Sequence, residues 1–177
     1  NYNWVANFEL GLIDKLIANN NEDKCNILQS MSAYEPRKKW ISTEKTLEFK
    51  YPVIHSTPKD GPRIIWSSRN DNGFYNIPKV IFGDGGINDP IIDIDGKYAM
   101  SQHAMAITIQ NKEEGEKLSQ ILCSDIFNKI IKACLWSSFA IEWSMFRDFK
   151  KDFYKILENY KDINKVEENT DEIIEID

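Results

Sequence analysis

The chain has 177 residues, of which 42% are hydrophobic and 28% charged, an ordinary globular composition long enough to bury a core without disulfide staples. Its 22 basic and 28 acidic side chains leave a net charge of −6. No apolar run approaches the roughly 20 residues of a membrane span, so no membrane partner is expected.

No basic-then-apolar leader opens the chain. It begins at Asn1, without a methionine, and reads as a piece of a longer protein. Cys25, Cys123 and Cys134 form no C-x-x-C pair. An odd set without framework spacing predicts free thiols in a reducing compartment, hence a cytoplasmic location. His55 and His103 lie far from these cysteines and show no ligand spacing, so no metal site is expected.

In chain order, Trp4, Val5, Phe8, Leu12, Leu16 and Ile17 recur at helical spacing, with Asn3 as a candidate cap. The run Asn19 to Asp23 is a polar break, and residues 24–33 read as a short helix or a loop. From Lys45 the pattern becomes strand-like. The runs are Leu47–His55, Arg63–Ser67, Lys79–Phe82, Ile91–Ile94, Lys97–Met100 and Met105–Ile109, broken by Gly, Pro and Asn turns. Asp95-Gly96 between two of them reads as a two-residue hairpin loop.

After Asn111 the helical period returns. Glu113 and Glu114 suit a helix start, and Leu118, Ile121 and Leu122 form an apolar stripe. Ser124 and Asp125 open a second helix, which Trp136 to Phe139 break. A third amphipathic stretch runs from about Ser144 to Tyr160. The expected fold is α+β, a central and mainly antiparallel sheet flanked by N-terminal and C-terminal helices. Residues 1–44 are expected to be a helical segment and linker, 45–161 the α+β domain, and 162–177 a flexible acidic tail.

The charge is segregated. The tail from Asp162 carries −6 by itself, so the body is neutral. Within the body, Pro36 to Lys79 holds nine bases and four acids. A neutral body with a basic middle is compatible with a nucleic-acid partner. Arg37, Lys38, Lys39, Lys59, Arg63, Arg69 and Lys79 are candidate phosphate contacts, with Trp40 and Trp66 interleaved for stacking. Arg69, Asn70, Gln102 and His103 are candidate base-edge contacts: amides and imidazole offer both hydrogen-bonding roles, and a guanidinium donates at two points. The plain alternative for these residues is a solvated charge face, core tryptophans and a buried histidine.

Two other constellations compete. Asp95-Gly96-Lys97, with Asp84, Asp89 or Asp93 as a distant acid, matches the D/E-x-K of magnesium-dependent nucleases. The glycine is explained by a turn and not by catalysis. Gly83-Asp84-Gly85-Gly86 lacks the lysine and hydroxyl of a phosphate loop, so it reads as a strand-ending loop that still allows close backbone approach to a ligand. No Ser-His-Asp or Cys-His arrangement has supporting local context.

Three segments carry a family resemblance. They are Tyr51-Pro52-Val53-Ile54-His55-Ser56-Thr57; Ile77 through Asp84, continuing through Pro90 to Gln102; and Ala133 through Phe139, followed by Trp143 to Phe153. Their order resembles the C-terminal target-recognition region of TaqI-like adenine-specific DNA methyltransferases of restriction–modification systems. The resemblance covers roughly residues 45 to 155. It implies a sequence-specific duplex-DNA-binding part of a larger enzyme. That parent would transfer a methyl group from S-adenosylmethionine to adenine N6 in an upstream catalytic domain.

The Asn-Pro-Pro-Tyr/Phe signature and the Gly-rich cofactor turn are absent from the chain. No cofactor and no catalytic residue are therefore expected in this part. A magnesium-dependent nuclease domain and a protein-interaction domain without DNA affinity are the alternatives.

Overall fold

The computed structural model describes residues 10–29, 33–134 and 143–160. The predicted N-terminal cap, the Trp136 to Phe139 break and the acidic tail fall outside them. Among the described residues, no helix is long and apolar enough to cross a membrane.

The elements follow the order α1 (Leu10–Leu16), β1 (Ile27–Gln29), β2 (Ile41–Ser42), β3 (Tyr51–Ser56), β4 (Arg63–Ser67), β5 (Lys79–Gly83), β6 (Gly86–Asp93), β7 (Ala99–Met100), β8 (Ala104–Thr108), α2 (Lys112–Leu122) and α3 (Asp125–Cys134). A short 3-10 helix, Trp143–Arg147, and helical turns over 153–160 complete the described chain. The fold is α+β, with helices towards both ends.

The expected single central sheet is instead two four-stranded sheets, ordered β1-β8-β5-β6 and β2-β4-β3-β7. Every pairing is antiparallel except β3 with β7. Side-chain alternation explains the stack. On β5, Val80 and Phe82 join a large core with Met105, Ile107, Leu118, Phe127 and Phe146. The intervening Ile81 faces the other way and packs with Ile54, Met100, Ala104 and Ala106. The first sheet therefore lies between helices and the second sheet. Ala104 and Ala106 keep its inner face thin, so the second sheet can close on it.

Residues before 45 contribute to the core and to both sheets. Leu12, Ile13 and Leu16 sit in the large core, β1 pairs with β8, and β2 pairs with β4. The segment expected to be a helix or loop over 24–33 contains β1. The start of the predicted Leu47 strand is also lost: β3 begins at Tyr51, and Leu47 is fully exposed.

Asp95-Gly96 is a turn, but it does not join a hairpin. β6 pairs with β5 through the two-residue loop Asp84-Gly85, whereas β7 pairs with β3 in the other sheet. Residues 94–98 carry the chain from one sheet to the other. Gly96 N donates to Asp93 O at 3.4 Å, and Gly96 takes φ +64°. A Cβ there would stand 2.5 Å from Asn76 Cα, so glycine is required on two counts.

Asp93 clamps this crossover. Its Oδ1 accepts from Lys97 N at 2.7 Å, and its Oδ2 accepts from Tyr98 N at 3.0 Å and from Lys79 Nζ at 2.7 Å. Both side chains of the ion pair are buried, and Lys79 also donates to Ile77 O. Burial pushes the Lys79 ammonium below the ordinary lysine range, with Asp93 pulling the other way. Lys79 is thus removed from the phosphate-contact candidates: a buried ammonium held by a carboxylate cannot reach a ligand.

Candidate nucleic-acid interface

The basic candidates divide between the two ends of the β3–β4 hairpin. At one end, Lys38 Nζ lies 5.9 Å from the Trp40 ring centroid and the Arg69 guanidinium 4.7 Å from it. Lys45 stands 4.9 Å over Trp66, and Lys50 5.3 Å over Tyr51. The pairing of Ile41 with Ser67 and of Ser42 with Trp66 places these residues along one sheet end. Trp40 is oriented by its Nε1–H, which donates to Ala33 O at 2.9 Å. Arg69 also makes a two-point ion pair with Asp71, so a phosphate there must displace a carboxylate. Arg37 and Lys39 are exposed on the turn beside Lys38, and Asn70 is exposed beyond Arg69.

At the other end lie Lys59, Arg63, Gln102 and His103, all exposed. Arg63 opens β4, so it stands about 20 Å from Arg69 at the usual strand rise. Here the chain's only two histidines meet. Their rings pack edge to face at 5.4 Å. Ser101, buried between β7 and β8, donates its hydroxyl to His55 O at 3.1 Å. That hydroxyl has one proton, so His55 Nδ1 must be the donor in its 2.8 Å contact with Ser101 Oγ. His103 Nδ1 donates to Asp84 Oδ2 at 3.1 Å, and Gln102 Nε2 donates to His103 Nε2 at 3.1 Å. Desolvation lowers the His55 pKa from the ordinary histidine value, and the neighbouring His103 and Arg63 push it the same way.

A cleft of about 340 Å³ opens beside this group, lined among others by Thr57, Lys59, Asp84, Gly85, Asn88 and His103. Thr57 is 94% buried, and its Oγ1 has no hydrogen-bond partner. Glycine at position 83 makes room for it, since a Cβ there would come within 2.7 Å of that oxygen. An unpaired buried hydroxyl is costly.

This geometry does not assemble a nuclease from the D-x-K motif. Asp93 is spent on Lys79 and two backbone N–H groups. Asp84 lies beyond the opposite end of β6, roughly 25 Å away along an eight-residue strand. Among the described residues, no group of three His, Cys, Asp or Glu side chains is placed to hold a metal ion. Ser101 is fully buried, with its hydroxyl turned to a carbonyl, so the Ser101–His55 contact presents no nucleophile.

The three cysteines are free. Burial pushes the Cys25 thiol up to about 12 and the Cys134 thiol up to about 11, which makes both inert.

Sequence reasoning places Lys45 and Lys50 in the basic stretch but does not single out Tyr51, over which Lys50 stands. It also missed the His55–His103 contact. Those residues are 48 positions apart, and no local spacing announces their meeting. The chain matches no protein-family model and no curated protein sequence.

Proposed function

We propose that the chain is a duplex-DNA-binding module, the target-recognition part of a larger adenine-N6 DNA methyltransferase or restriction–modification enzyme. The observation that carries this reading is the row of cations over aromatic rings: Lys38 on Trp40, Lys45 on Trp66, and Lys50 on Tyr51. A ring holds a cation in place without neutralising it, so the charge stays available to phosphate. The second basic group, about 20 Å along the hairpin, lies within one helical turn of B-DNA, about 34 Å. Phosphates would be gripped at both ends, and base edges would be reached at each end, by Asn70 beside Arg69 and by Gln102 and His103 near Arg63. On this reading S-adenosylmethionine and the methyl transfer belong to the upstream catalytic domain.

Fluorescence anisotropy on a labelled duplex over a salt series tests the proposal. Log affinity should fall with log salt at a slope of about −0.9 per phosphate contact. Lys38→Ala or Lys59→Ala should flatten that slope by about one and weaken all sequences alike. Arg69→Ala or Gln102→Ala should cost roughly 1–3 kcal/mol on a preferred site and less elsewhere. Lys79→Met should leave the slope unchanged, because that ammonium is buried. A flat salt response, indifferent to Lys38 and Lys59, rejects DNA binding.

A further inference from the structure

We infer that the groove under the 70–77 loop is a pocket for an unpaired nucleobase. The inference deepens the DNA-binding reading and rests on it. The groove has a volume of about 540 Å³, within the range of small-molecule sites. Four amides line it, those of Gln29, Asn70, Asn72 and Asn76, together with Phe74 and Tyr75.

The loop is held in shape before any ligand arrives. Gly73, Phe74 and Asn76 all take positive φ, at +77°, +67° and +61°. Asparagine tolerates that backbone, but phenylalanine does not, so at Phe74 the surroundings must impose it. The restraints are visible. Asn72 N donates to the Tyr34 hydroxyl at 3.2 Å, Met100 N to Gly73 O at 3.1 Å, and Asn76 N to Gly96 O at 2.8 Å. Gly73 lies so close to the Tyr34 ring and Ala99 that a Cβ would overlap both.

The lining chemistry selects the ligand. Asp71, the one charged lining residue, is matched by Arg69. The pocket therefore offers no unmatched charge. Among the described residues, the amides of Gln29, Asn70 and Asn76 make no hydrogen bond. Each presents a donor and an acceptor side by side, the pattern that pairs with the edge of a base. Phe74 and Tyr75 supply an apolar wall for its face. Lys38, held over the Trp40 ring whose N–H donates to Ala33 of the lining, is the cation available to the phosphate of the same nucleotide. A base inside a duplex cannot enter such a pocket, so the ligand is one already unpaired or extruded.

The test uses three labelled duplexes of one sequence: fully paired, with one bulged adenine, and with an abasic bulge of the same length. The chain should bind the adenine bulge about tenfold tighter than either other probe, since the unpairing cost is already met. Gln29→Ala should remove most of that preference and leave paired-duplex affinity and the melting temperature unchanged. Equal affinity for all three probes overturns the pocket and leaves DNA binding standing. Equal gain from the abasic bulge also overturns it, because the chain would then read the bend and not the base. Absence of salt-dependent binding to any probe overturns both readings.

Discussion

Replacing Asp93 with asparagine is the sharpest test of how the two sheets are joined. The carboxylate receives three donors: Lys79 Nζ, Tyr98 N and Lys97 N. An amide of the same shape has one acceptor oxygen. If that oxygen keeps Lys79 and Tyr98, the NH₂ group faces the Lys97 N–H, donor against donor. An orphaned buried donor costs about 1–3 kcal/mol, and stripping a buried ammonium of its counter-charge brings the total to about 3–5 kcal/mol. For a chain of this size the melting temperature should fall by about 10 °C.

The loss should be pH-dependent. Burial sets the folded Lys79 pKa below the ordinary 10.5, so between the two values the unfolded chain binds more protons. Stability of the variant should therefore rise as pH rises through that window. Urea unfolding followed by tryptophan fluorescence, at neutral and alkaline pH, reads both effects. A loss below about 1 kcal/mol, the level of an ordinary surface change, would refute the reasoning and show that water reaches the crossover.

Other outcomes follow from the same geometry. Gly96→Val should cost about 3 kcal/mol or more in chemical denaturation, because it combines positive φ with contact on the Asn76 backbone. Asp95→Asn beside it, on an exposed side chain, should change stability by less than about 0.5 kcal/mol. Thr57→Val removes a buried hydroxyl without a partner at nearly constant volume, so thermal unfolding should show equal or higher stability, by up to about 1 kcal/mol. If the cleft binds a DNA phosphate, the same variant should weaken duplex affinity. His55, with its lowered pKa, should support folding fully above the ordinary 6.5 and lose that support as pH falls through the folded value. His55→Gln should flatten the melting-temperature profile across that acid range; an unchanged profile assigns the acid sensitivity elsewhere.

Short-range patterns were legible in the amino-acid sequence. Arg63–Ser67 is a strand as its β-branched run predicts, and α2 starts at Lys112 with Asn111 Oδ1 accepting from Glu114 N. Ser124 likewise caps α3, accepting from Phe127 N. Segregation of charge into a basic middle was also readable, because it is a property of composition alone. These features depend on neighbours within about one helical turn or one hairpin, which periodicity and capping rules capture.

Sheet membership was not legible. Ile91–Ile94 and Lys97–Met100 look like one hairpin, yet their strands belong to different sheets, since the turn between them is pulled aside by Asp93 and Lys79. The candidate list failed at Lys79 for the same reason: a lysine in a basic run is indistinguishable from its neighbours until a buried carboxylate 14 residues on claims it. His55 and His103 came together, and Gln29 joined the three asparagines of the 70–77 loop, only when the two sheets stacked. Contacts between residues dozens of positions apart are set by which faces of the strands must be buried. That is decided by the packing of the whole chain and not by any local segment of it.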